Sequence, residues 1–139
     1  GAEKELTNAE GSTPLVLAAS KGHTHVVRLL LEAGAAKDLV TKNGATPLGV
    51  AAAEGHVEVV RLLLEHGAEK ELTNAEGSTP LVLAASKGHT HVVRLLLEAG
   101  AAKDLVTKNG ATPLGVAAAE GHVEVVRLLL EHGAEKELT

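Results

Sequence analysis

Short apolar runs alternate with polar punctuation along the chain at a steady beat. Leu15-Val16-Leu17-Ala18-Ala19 is closed by Ser20-Lys21-Gly22, and Val26-Val27-Arg28-Leu29-Leu30-Leu31 is closed by Glu32 and then Gly34. Thr13-Pro14 opens the first run. Thr is a good N-cap, and Pro at the first helical position loses an N–H that would be unpaired there anyway. The pattern predicts a helix through Leu15 to Lys21, stopped at Gly22, of barely two turns and too short to stand alone in water. A second helix is predicted from about Thr24 to Ala33, with Val26, Leu29, Leu30 and Ala33 on one stripe and Gly34 as its left-handed stop. The following loop, Ala35 to Gly44, ends in the turn signal Asn43-Gly44.

The whole pattern recurs. At an offset of 66 residues, every position of 1–73 has an identical counterpart in 67–139, and GAEKELT stands at 1–7, 67–73 and 133–139. The identity extends to loop and surface positions, which tolerate substitution best. It points to a duplicated or a designed gene, and design is the reading adopted here. Within the 66-residue module runs a weaker period of 33, pairing Gly11 with Gly44, Thr13-Pro14-Leu15 with Thr46-Pro47-Leu48, and Gly22-His23 with Gly55-His56. The chain therefore reads as one array of four units, 7–39, 40–72, 73–105 and 106–138, alternating A-B-A-B, with 1–6 and 139 as pieces of flanking units. Two short helices cannot bury their apolar faces alone, but stacked copies can, so a period near 33 reads as a solenoid.

The strings Gly11-Ser12-Thr13-Pro14-Leu15, Ala18-Ala19, Gly22-His23, Val26-Val27-Arg28-Leu29-Leu30-Leu31 and Gly34-Ala35, with their counterparts in every unit, resemble ankyrin repeats. The resemblance covers essentially the whole chain. It implies an all-α ankyrin-repeat solenoid, a right-angled stack of antiparallel helix pairs joined by projecting hairpin-like loops. It also implies protein binding through hairpin tips and the concave first-helix surface. That surface maps to Ala9, Glu10, Ser12, Ser20, Lys21, Lys42, Asn43, Ala45, Ala53 and Glu54 in the first module. In the second it maps to Ala75, Glu76, Ser78, Ser86, Lys87, Lys108, Asn109, Ala111, Ala119 and Glu120.

Two departures from the family pattern stand out. The histidine that ankyrin repeats usually carry after Thr-Pro-Leu is replaced by Val16, Gly49, Val82 and Gly115, which puts the rigidity of that turn in question. The acidic residue expected three positions before the hairpin glycine is Thr41 or Asn74. The end units also repeat the inner ones in sequence, so no polar capping unit is visible, although stable soluble solenoids normally have one. Leu15, Val26 and Leu30 at one end, and Leu114 and Leu129 at the other, are expected to feed open apolar faces suited to head-to-tail stacking, which gives a filament if the rotation does not close.

Composition narrows the function by exclusion. The chain has no Phe, Trp, Tyr, Met or Cys, so there is no disulfide framework and no aromatic hot spot. A net charge of −5 argues against nucleic acid and anionic membrane as partners. No apolar run approaches the ~20 residues that span a bilayer. No signal peptide opens the chain, and Gly1 suggests a tag-cleavage scar, so a soluble protein expressed inside cells is expected.

Histidines invite a metal reading, but His23-Thr24-His25 and His89-Thr90-His91 place their rings at i and i+2, pointing apart on a helix, with no third ligand nearby. No metal or cofactor is expected. His66 and His132 precede the stop glycine of a second helix, where a capping role suffices. Two rows of alternating charge run along the stack, His25-Glu58-His91-Glu124 and Lys21-Glu54-Lys87-Glu120. They read first as a solvated face, and second as a mildly pH-sensitive register. Arg28, Arg61, Arg94 and Arg127 each have a glutamate four residues on, a locally balanced column. The few serines (12, 20, 78, 86) and aspartates (38, 104) form no nucleophile elbow, and identical copies along a ridge do not converge as an active site must. The expectation is a non-enzyme: a structural scaffold or self-stacking building block whose partner is itself, or else an interaction module for an unknown protein.

Overall fold

The computed structural model describes residues 12–134. Eight helices follow one another in pairs: α1 (Pro14–Lys21) with α2 (Thr24–Glu32), α3 (Pro47–Glu54) with α4 (Val57–Glu65), α5 (Pro80–Lys87) with α6 (Thr90–Glu98), and α7 (Pro113–Ala119) with α8 (Val123–Glu131). The first helices stack on one another as α1–α3–α5–α7, the second helices as α2–α4–α6–α8, and each pair packs together. The all-α solenoid is thus the observed architecture, with no strand among the described residues.

Each first helix is started by its threonine. Thr13, Thr46, Thr79 and Thr112 are extended, and their Oγ1 atoms accept from the N–H of Val16, Gly49, Val82 and Gly115 at 3.2, 2.9, 3.2 and 3.0 Å. The turn that lacks the family histidine is therefore held by its own hydroxyl cap. The bond is shorter where glycine supplies the N–H, because a Cβ on Gly49 would come within 2.8 Å of Thr46 Oγ1. The hairpin position without its acidic residue is tied down in the same manner. Thr41 and Thr107 Oγ1 accept from Ala45 and Ala111 N–H at 2.9 and 3.0 Å, and Asn74 Oδ1 accepts from Glu76 and Ser78 N–H at 3.0 Å.

One continuous core runs the length of the stack. Leu15, Leu48 and Leu81 fill it from the first helices, and Val59, Val60, Leu63, Val92, Val93, Leu96 and Leu129 from the second. Carboxylates fasten loop to loop. Asp38 Oδ1 accepts from Glu69 N–H at 2.9 Å, and Glu71, at the matching position one unit on, accepts from Ala102 N–H at 2.7 Å. No helix among the described residues is long and apolar enough to cross a membrane.

Candidate interaction surfaces

Two kinds of surface stand open: a ridge of hairpins along the stack, and the faces at its two ends. Along the ridge, Glu76, Ser78, Ser86, Asn109 and Ala111 converge with Asn74 and Thr107 on one groove, between neighbouring hairpins and against α5. Lys21, Lys42, Asn43, Glu54, Ala75, Lys87, Lys108, Ala119 and Glu120 are exposed, and Ser12, Ser20, Ala45 and Ala53 are half-buried. Ala9 and Glu10 lie outside the described residues. Adjacent hairpins are joined by Lys108 N–H donating to the Glu76 carbonyl at 3.1 Å.

The ends are best seen by comparing identical residues. Val26 is 45% exposed, whereas its copy Val92 in the interior is 0% exposed. Leu29 is 65% exposed, while its copy Leu95 is half-buried against the core. At the other end, Val123 is 64% and Leu130 44% exposed, against the half-buried copies Val57 and Leu64. Val123, Val126 and Leu130 line a shallow apolar groove on the outer face of α8.

Two of the residues assigned to the open faces from sequence are not there. Leu15 is 1% and Leu129 0% exposed. The reason is direction. Leu15 points up the stack and is covered by the following pair; its counterpart Leu114, in the last described pair, is only half-buried. Leu129 points down the stack and is covered by the preceding pair; its counterpart Leu30, in the first described pair, is only half-buried. The open positions that the sequence reading missed are Leu29, Val123 and Leu130. A test of which side of each apolar stripe faces which neighbour would have found them.

A histidine couples each pair to the one before it. His56, His89 and His122 donate from Nε2 to the carbonyls of Ser20, Ala53 and Ser86 at 2.9, 3.0 and 2.9 Å. A carbonyl only accepts, so Nε2 carries the proton in each. The same rings lie flat over a glycine of the preceding pair: a Cβ on Gly22, Gly55 or Gly88 would meet Nδ1 of His56, His89 or His122 at 2.7, 2.6 and 2.7 Å. These glycines also sit at φ +74 to +77°, the left-handed region that favours glycine. His66 and His132 cap their own helices, Nδ1 donating to Leu62 and Leu128 carbonyls at 3.0 Å.

The charge rows are solvated. His25, Glu58, His91 and Glu124 are all exposed, as are Lys21, Glu54, Lys87 and Glu120, and no ion pair joins members of either row among the described residues. Glu58 and Glu124 instead meet Arg61 and Arg127 three residues on, at 3.4 and 3.0 Å. Arg61 and Arg127 thus pair backward rather than with the glutamates four residues ahead, because helical side chains lean toward the N-terminus, whereas Arg28 and Arg94, with His25 and His91 at the backward position, form no ion pair among the described residues.

A family model described as ankyrin repeats (3 copies) matches residues 1–74 and again 67–139. No curated protein matches the chain. With the stacked helix pairs, the Thr-Pro caps and the histidine couplings between neighbours, the match is decisive: this chain belongs to the ankyrin-repeat family.

Proposed function

We propose that the chain is a designed, non-enzymatic scaffold, a repeat building block without an evolved ligand that stacks end to end. Its stacking units are 7–39, 40–72, 73–105 and 106–138, with flanking pieces at 1–6 and 139. The observation that carries the reading is the exposure of Val26, Leu29, Val123 and Leu130, whose sequence-identical copies in the interior are covered. Uniform repeats support the same reading, because a ridge selected for one partner would vary from unit to unit. Light scattering after gel filtration, with refractive-index detection in place of ultraviolet absorbance, tests it. The mass should rise above 14.2 kDa as concentration increases; a constant 14.2 kDa would remove the self-stacking reading.

A second reading is favoured by the ridge groove. Glu76, Ser78, Ser86, Asn109 and Ala111 converge there, as expected if the chain docks a protein partner through hairpin tips and first helices. The groove mixes these polar groups with Val82, Leu83 and Val116 and has no aromatic or arginine anchor, so the affinity expected of it is low. Substituting these positions would then abolish partner capture while leaving end-to-end growth intact.

A further inference from the structure

We infer that the partner on the C-terminal face is a second copy of this chain, seated in the register of the interior junction between α3–α4 and α5–α6, with its His23 over Gly121. The inference rests on the stacking reading above and specifies its geometry. The last helix pair has the sequence of the second, and the first pair has the sequence of the third. The outer faces of the first and last described helix pairs are therefore copies of two surfaces that already meet inside the stack.

What meets there is known in detail. Val92 and Leu96 are 0% exposed at that junction, packed beside Val60, also 0% exposed. His89 lies over Gly55 and donates to the Ala53 carbonyl at 3.0 Å. Each of these has an unoccupied copy at an end. Gly121 is the copy of Gly55, and a Cβ built on it meets nothing within 4 Å. Ala119, the copy of Ala53, is exposed. At the opposite end, His23 is exposed and makes no side-chain hydrogen bond among the described residues, while His56, His89 and His122 are half-buried and bonded. Plug and socket are thus both present, both empty, and on opposite ends.

Docking His23 of a second copy over Gly121 gives its Nε2–H the Ala119 carbonyl and covers Val123, Val126 and Leu130 with Val26, Leu29 and Leu30. The contact is heterologous: the surface used on one copy differs from that used on the next, so each addition regenerates a free end and growth continues unless the rotation closes a ring. Charge does not oppose it, since the junction it repeats already exists in the chain with the same side chains.

The test uses the full chain with one end blocked at a time. Gly121→Asn keeps a residue that tolerates the left-handed region but places a Cβ where the incoming imidazole must lie. Gly100→Asn is the control, because Gly100 shares the conformation (φ +90°) and its Cβ would meet only Lys70 Cε at 3.8 Å. Val26→Glu blocks the other face at a site already 45% exposed. Sedimentation velocity should find wild type and Gly100→Asn growing with concentration, and Gly121→Asn and Val26→Glu each monomeric. Mixed together, the two blocked chains should form a dimer and stop, since Val26→Glu retains the socket and Gly121→Asn the plug. His23→Ala, which leaves the fold untouched, should weaken association by roughly threefold to tenfold, as expected for one hydrogen bond. Growth of wild type together with growth of Gly121→Asn would overturn the register while leaving the stacking reading in place. A mixture that stays monomeric while wild type grows would do the same. A wild type that never grows would overturn both.

Discussion

The exact internal repetition permits an unusual comparison: one substitution made twice, in identical local sequence, at positions that differ only in what stacks upon them. Val92→Ala and Val26→Ala are such a pair. Each deletes two methyl groups from the same place in the same helix, so changes in helix propensity cancel. Val92 is 0% exposed, and the transfer loss at ~0.8 kcal/mol per buried carbon is about 1.6 kcal/mol. The cavity left in a packed junction adds to this at ~24 cal/mol per Å³, for a total of about 2–3 kcal/mol. Val26 is 45% exposed, so roughly half the transfer term applies and water fills the space, leaving about 1 kcal/mol or less. Urea unfolding followed by far-ultraviolet circular dichroism reads the difference, at concentrations where the chain is monomeric. With a urea dependence of about 1–3 kcal/mol per molar, the midpoint of Val92→Ala should fall below that of Val26→Ala by roughly half to one molar or more. Equal midpoints would refute the claim that stack position, rather than sequence, decides the burial of these valines. A larger loss for Val26→Ala would refute it more strongly.

Other substitutions probe the joints. Thr79 is 1% exposed and caps α5, so Thr79→Val should cost about 1–2 kcal/mol, with Thr79→Ser much less damaging, again by urea midpoint. His89→Ala strands the Ala53 carbonyl and uncovers Gly55. It should destabilise by about 1–3 kcal/mol and raise amide exchange in α3 and α5, whereas His23→Ala should leave the monomer's midpoint unchanged. Gly115→Ala should raise thermal stability, by up to about 1 kcal/mol of helix propensity, because Val82 already occupies the matching position with the cap intact; Gly49→Ala should gain less, since its Cβ would press on Thr46 Oγ1 at 2.8 Å and lengthen the cap bond. Neutralising Arg61 or Arg127 should change stability by less than about 1 kcal/mol, since their pairs with Glu58 and Glu124 are largely exposed.

Much of this fold is written in local chemistry. Thr-Pro marks where each first helix begins, the following glycine where it ends, and the helices run from Pro14 to Lys21 and Thr24 to Glu32 much as those signals require. The stacking of pairs follows from the 33-residue beat, because neither helix of a pair can bury its apolar side alone. What the pattern does not carry is direction along the stack. Leu15 and Leu29 both belong to apolar runs of the first pair, yet Leu15 faces the next pair and is covered while Leu29 faces outward and is not. That distinction depends on the rotation of each helix against its neighbours, which is a property of packing rather than of spacing. The arginine column misleads for a related reason: spacing offers a glutamate at i+4, but at Arg61 and Arg127 side-chain lean selects the one at i−3. The histidine couplings were hidden as well. In sequence His23, His56, His89 and His122 are equivalent, and His23 is set apart only by lying in the first pair of the described residues.

Small-angle X-ray scattering across a concentration series shows whether the last helix pair of one copy is continued by the first pair of the next. Particle length should increase with concentration while the cross-section stays that of one helix-pair layer. A length fixed at that of a single chain, or growth that thickens the cross-section, would contradict it.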